Sequence, residues 1–144
     1  MQRTRQAYAA AVTAALTDPV RAFLRKPNPA VMATLAKDGR PVTVATWYLL
    51  EDDDRVLVNL DAERVRLNHL RRDPRFALDV LDGASWYTHV ALQLVGVAFS
   101  DDTDLADIDA LSVQYGGQPY SERSRPRVSL RAEIRSVLTW GTIR

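Results

Sequence analysis

Apolar and polar positions alternate most regularly near the end of the chain, where Val128, Leu130, Ala132 and Ile134 interleave with Arg127, Ser129, Arg131, Glu133 and Arg135. A period of two is that of a half-buried strand, so 127–138 is expected to turn one face to the core and the other to water or a ligand. Residues 30–36 are apolar with β-branched members, and Asp38-Gly39 supplies the positive φ angles of a tight hairpin turn before Pro41 opens another strand. That next strand is expected to run unbroken over 42–50. It is apolar or Thr on both faces, the composition of a strand covered on both sides. An acidic turn at 51–54 returns the chain into 55–60, with Val56 and Val58 on one face. Residues 76–81 form a fourth strand, and 86–100 a long bent one with Gly96 as its bulge or bend.

Helical signals fall between these strands. An Ala-rich amphipathic helix is expected over 8–16, and Asp18-Pro19 offers an N-cap and first-turn proline for a second over 20–26, stopped by Pro27-Asn28-Pro29. Residues 1–27 are therefore an N-terminal helical segment. A third helix must end by Asp73, because Pro74 disfavours helical geometry before it. Asp102 or Thr103 caps a fourth, carrying Leu105, Ile108 and Leu111 and closed by Gly116-Gly117; a loop over 118–126 follows. About six strands without βαβ alternation exclude a doubly wound sheet and predict a mainly β, α+β domain over 1–144, a six-stranded antiparallel barrel with short peripheral helices.

The 144 residues fit one domain, and 19 basic against 18 acidic side chains leave no global field for a nucleic acid. With no Cys there can be no disulfide and no thiolate metal site, and two His twenty positions apart make a poor metal cluster. No apolar run approaches a membrane span, and Gln6 and Thr13 weaken any signal-peptide reading of the start, so a cytoplasmic protein is expected. Gly-rich nucleotide loops and a Gly-x-Ser-x-Gly elbow are missing, and the carboxylates sit mostly at turns and helix starts.

What remains is a cationic cluster: Arg64, Arg66, Arg71, Arg72 and Arg75 follow a strand and open a helix, where backbone donors favour an anion. On composition alone a solvated helix face explains it better than a phosphate does. Arg64 and Arg66 share a face only in extended backbone, so joint grip of one phosphate requires the helix to begin near Arg66 or the side chains to wrap. His69 reads equally as a phosphate donor or an ordinary helix residue, whereas His89 reads better as a structural histidine. Trp47, Trp86 and Tyr87 could stack on a planar ring, and core packing explains Trp47 equally well.

Ala33-Thr34-Leu35, Asp38-Gly39-Arg40-Pro41, Trp47-Tyr48, the block from Asn59 to Phe76, Val95-Gly96-Val97-Ala98, the stretch from Gln114 to Tyr120 and Thr139-Trp140-Gly141 together resemble the pyridoxamine-phosphate-oxidase-like split β-barrel flavoproteins, of FMN-binding split-barrel type. They are most similar to the branch that uses the deazaflavin coenzyme F420. The resemblance implies a homodimer with interfacial cofactor sites and hydride transfer to a small organic acceptor, with no compulsory protein acid or base. It places Arg64-Val65-Arg66 where the family has Arg-x-Lys at the phosphate, Asn59 beside that phosphate, and Thr43, Thr46 and Trp47 along the ring. His69 stands where Asn is common, Asn68 where Arg is, and Trp86 resembles an aromatic reaching the ring from the partner subunit. Tyr87 or His89 is a possible proton donor. An FMN enzyme of the same fold, or a non-catalytic flavin or tetrapyrrole binder, stays open as an alternative.

Overall fold

The computed structural model describes residues 14–143. Most of the helix expected over 8–16 thus lies outside the described residues; 14–16 are irregular. The elements are α1 (Asp18–Leu24), β1 (Ala30–Leu35), β2 (Pro41–Thr46), β3 (Leu49–Leu50), β4 (Val56–Asp61), α2 (Val65–Arg72), β5 (Arg75–Leu81), β6 (His89–Asp101), α3 (Ala106–Gly116) and β7 (Arg127–Trp140). All strand pairs are antiparallel, in the order β2-β1-β5-β6-β7-β4-β3. The two outer strands, β2 and β3, are separated in sequence only by Trp47 and Tyr48, so the sheet curls round and is split where they pass.

This corrects the expected count: the sheet has seven strands rather than six, because 42–50 is two strands. The chain changes partner at Trp47-Tyr48, leaving β1 to pair with β4 through Leu49↔Leu57 and Leu50↔Val56. Tyr48 drops into the core while Trp47 stays partly exposed. The apolar alternation runs straight through the exchange, so periodicity cannot register it. Nor is β2 covered on both sides within the chain. As an edge strand it leaves Thr43 and Ala45 exposed and the intervening side chains half-buried.

The other patterns have their expected causes. Thr17, rather than Asp18, caps α1, its Oγ1 accepting from Val20 N at 3.4 Å. The long strand begins at His89, since 85–88 form a turn closed by Thr88 N donating to Ser85 O. It is irregular between Gly96 and Ala98, as expected of the glycine. A Cβ on Gly96 would stand 2.8 Å from Leu130 Cδ1, so the buried Leu130 side chain would have to shift to admit any larger residue there. Inside the barrel, Met32, Leu78, Val90, Leu92, Leu130 and Ile134 form one core. A second, smaller cluster of Leu57, Leu105, Ile108 and Leu111 holds α3 across the outside of the sheet. The caps foreseen for α3 are refined: Asp102 accepts from Asp107 N and Ile108 N at 3.1 and 2.9 Å, although Leu105, at φ 63°, occupies the N-cap position itself.

Several carboxylates lie below their ordinary range. Arg21 does this for Asp54; the backbone N–H of Glu63, then Arg125, for Asp61; Arg75 for Asp73. Asp107 is pushed up by burial, but the Ser129 hydroxyl and Arg131 outweigh that. A carboxylate whose pKa is depressed by folding stabilises the fold above its unfolded value and loses that contribution as pH falls through the folded one. Urea stability is thus expected to decline as pH drops below about 4–5. Asp107→Asn should flatten that decline; an unchanged pH slope in this variant would show that Asp107 does not contribute to it.

Candidate functional site

A cleft of about 660 Å³ opens where the split leaves the sheet unpaired, between the end of β2, the 27–29 turn, the start of α2 and α3. Its aromatic end follows from the partner exchange. Trp47 stacks on Tyr115 of α3 with ring centroids 5.4 Å apart and planes 10° apart, and Tyr120 meets it edge-on at 6.2 Å. Tyr115 is fixed by donating its hydroxyl to Asn28 O at 2.8 Å, and burial pushes its phenol up to about 12, so it is neutral at physiological pH. Thr46 and Ala45 complete the wall.

The opposite end is cationic. Arg66 and Arg127 line both this cleft and an adjoining basin of about 300 Å³, which Arg64 and Arg125 also border. Arg64 is extended, at φ −68° and ψ 135°, and α2 begins at Val65, so the geometric condition for Arg64 and Arg66 to share a basin is met. No side chain caps that helix end. Of the carboxylates there, Asp61 pairs with Arg125 at 3.1 Å, and Glu122 accepts from Ser124. Arg66 Nη1 is buried with no hydrogen-bond partner. Burial, and then the like charges of Arg64 and Arg127, push its pKa below the ordinary arginine value. A half-buried, unpaired guanidinium among other cations is costly unless an anion joins it.

Of the residues singled out from sequence, Thr46, Trp47, Asn59 and Arg66 line the cleft and Arg64 the basin. Val65 and Thr43 are exposed and line neither. His69 lies on the inner side of α2, buried, with Nδ1 2.9 Å from Thr34 Oγ1; it touches the barrel rather than the basin. Trp86 is 74% exposed in the turn before β6, outside this cleft, with Tyr87 beside it. His89 stacks on Trp140 at 4.7 Å and its Nδ1 lies 2.9 Å from Tyr87 O. Tyr115, Tyr120, Arg125 and Arg127 were not foreseen as site residues. Their signal was present as an aromatic pair flanking Gly116-Gly117 and a basic start to an amphipathic strand, but nothing local says which residues they meet. Among the described residues no group of three or more His, Asp or Glu could hold a metal ion, and no helix is long and apolar enough to cross a membrane.

Fold and cleft together define a split barrel with an aromatic wall ending in unpaired positive charge. The chain belongs to the pyridoxamine 5'-phosphate oxidase family, whose model matches residues 16–141. Among solved structures it is similar to an F420 reductase, at 19% identity over 85% of this chain and 98% of that one, with a TM-score of 0.76. It is also similar to a conserved hypothetical protein from Mycobacterium tuberculosis, at 22% identity, 89% and 86% coverage and a TM-score of 0.66. A third is a heme storage protein from Vibrio cholerae, at 14% identity, 89% and 96% coverage and a TM-score of 0.65. At these identities the likeness establishes the fold. A sequence comparison with curated proteins found no match.

Proposed function

We propose that this protein is a coenzyme F420-dependent reductase that acts as a cytoplasmic homodimer and passes a hydride to a small organic acceptor. The observation that carries this reading is Arg66: a half-buried guanidinium whose buried Nη1 has no hydrogen-bond partner, at the end of an aromatic cleft, fits a planar ring joined to a phosphate. Arg66 and Arg64 would hold the phosphate, with the uncapped start of α2 adding backbone donors. Thr46 and Trp47 would border the ring. When bound, the deazaflavin supplies the hydride; the protein orients it and excludes water. His69 acts from behind, holding α2 on β1 through Thr34. The exposed strand β2 with Thr43, and the protruding Trp86, suit a second copy completing the site from outside.

The family match supports FMN as a second reading, since its matching model is that of an oxidase for a phosphate-bearing substrate. Separate titrations with F420 and FMN, followed by tryptophan quenching, distinguish the two. Tight F420 binding together with reduction of an acceptor sustains the proposal. Preference for FMN replaces it with the flavin reading, and binding of hemin alone would make the protein a carrier.

A further inference from the structure

We propose that Asn59 is a positioning residue for Arg127 rather than a ligand of the anion. The inference rests on the reading of the cleft as a phosphate site. Asn59 sits on β4 in the lining of the cleft, beside its cationic end, and is only 9% exposed. Its Nδ2 donates to Asp102 Oδ2 and to Ser129 Oγ, both at 3.0 Å. An amide nitrogen carries only two hydrogens, so none remains for a phosphate oxygen. What Asn59 can still offer is Oδ1, an acceptor that would repel an anion. That oxygen instead receives Arg127 Nε at 2.6 Å.

The amide cannot reverse. Ser129 uses its own hydrogen on Asp107 Oδ2, at 2.6 Å, and Asp102 is a carboxylate already accepting from Asp107 N and Ile108 N. A flipped Asn59 would set its oxygen against the Asp102 carboxylate and its NH₂ against the Nε–H of Arg127. Asp102 also fixes the backbone of Arg127, whose carbonyl accepts from Asp102 N at 2.9 Å. The face of the guanidinium lies over Tyr120, 4.9 Å from the ring centroid. Held by its Nε edge and by its face, Arg127 keeps its Nη hydrogens for the cleft and the basin that it lines with Arg66. The buried network thus turns a long, flexible side chain into a preorganised donor.

A double-mutant cycle on the full chain tests this, with inorganic pyrophosphate as the probe and calorimetry as the readout. Arg127→Ala should weaken pyrophosphate binding, and Asn59→Leu should weaken it by about tenfold, the scale of one misplaced charge-assisted hydrogen bond. In the Arg127→Ala background Asn59→Leu should cost almost nothing further. An equal loss in both backgrounds would mean that Asn59 touches the anion or acts only through stability, and would overturn the proposal. Should Asn59→Leu fail to fold, Ser129→Ala, which removes one of the two acceptors locking the amide, is put through the same cycle; full additivity there overturns it equally. If the unmutated protein binds pyrophosphate and Arg66→Ala loses it, the phosphate site stands whatever the cycle shows. If the unmutated protein binds none, both readings fall.

Discussion

Replacing Arg66 by methionine is expected to weaken binding of the phosphate-bearing ligand by about a hundredfold or more, as loss of a desolvated charge contact does. The ligand-free protein should be as stable as before, or slightly more so. The two expectations share one cause. Arg66 Nη1 is buried without a partner, and Arg64 and Arg127 add like charge around it. Removing such a charge relieves the folded state of its desolvation and repulsion, while methionine retains most of the packing of the aliphatic stem. In the complex the same charge faces an anion, and its loss is felt in full. Thermal unfolding with and without ligand, beside titration with F420 and FMN, separates the effects. Unmodified affinity in the variant would remove Arg66 from the site; a large drop in ligand-free stability would show the guanidinium to be structural.

The legible parts of the molecule were those determined by neighbours in sequence. Alternation in 127–138, the hairpin turn at Asp38-Gly39, Pro74 after α2 and Gly96 in the long strand each impose a local geometry, although only Gly39 of the turn takes a positive φ and Ser129 is buried among the apolar positions of its strand. The composition of Val42 to Leu50 misled for a physical reason. An edge strand with one half-buried face can carry the same apolar and Thr side chains as a central strand covered on both, and a two-residue crossing does not disturb the period. Arg64 and Arg66 were visible because they lie two residues apart. Arg127 was not, since it reaches Asn59 from 68 positions away along the chain. His69 shows the opposite limit. Its place in a basic segment said nothing about which side of the helix it would face, and that is decided by Thr34, 35 residues earlier.

Trp47 and Tyr48 are adjacent aromatic residues for which opposite outcomes are expected. Tyr48→Ala should cost about 3–5 kcal/mol, the usual range for emptying a buried aromatic site, and so a large part of the roughly 5–15 kcal/mol that holds a domain of this kind. Tyr48 is fully buried, its hydroxyl donates to Lys26 O at 3.1 Å, and its carbonyl accepts from Gln114 Nε2 at 3.0 Å. It therefore ties the turn after α1 and the helix α3, which are two walls of the cleft, to the point where the sheet splits. Tyr48→Phe keeps the ring and should cost only about 1 kcal/mol, the net value of one hydrogen bond. Trp47 is 38% exposed and packs on Tyr115 at the cleft surface, so Trp47→Ala should leave urea stability within about 1–2 kcal/mol of the parent, the scale of one aromatic pair. Its loss should appear in affinity for a ring-bearing ligand while affinity for pyrophosphate persists, because the cationic end is untouched. Equal destabilisation by the two alanine variants would make Trp47 part of the core, and the cleft would then lack the aromatic wall on which the cofactor reading depends.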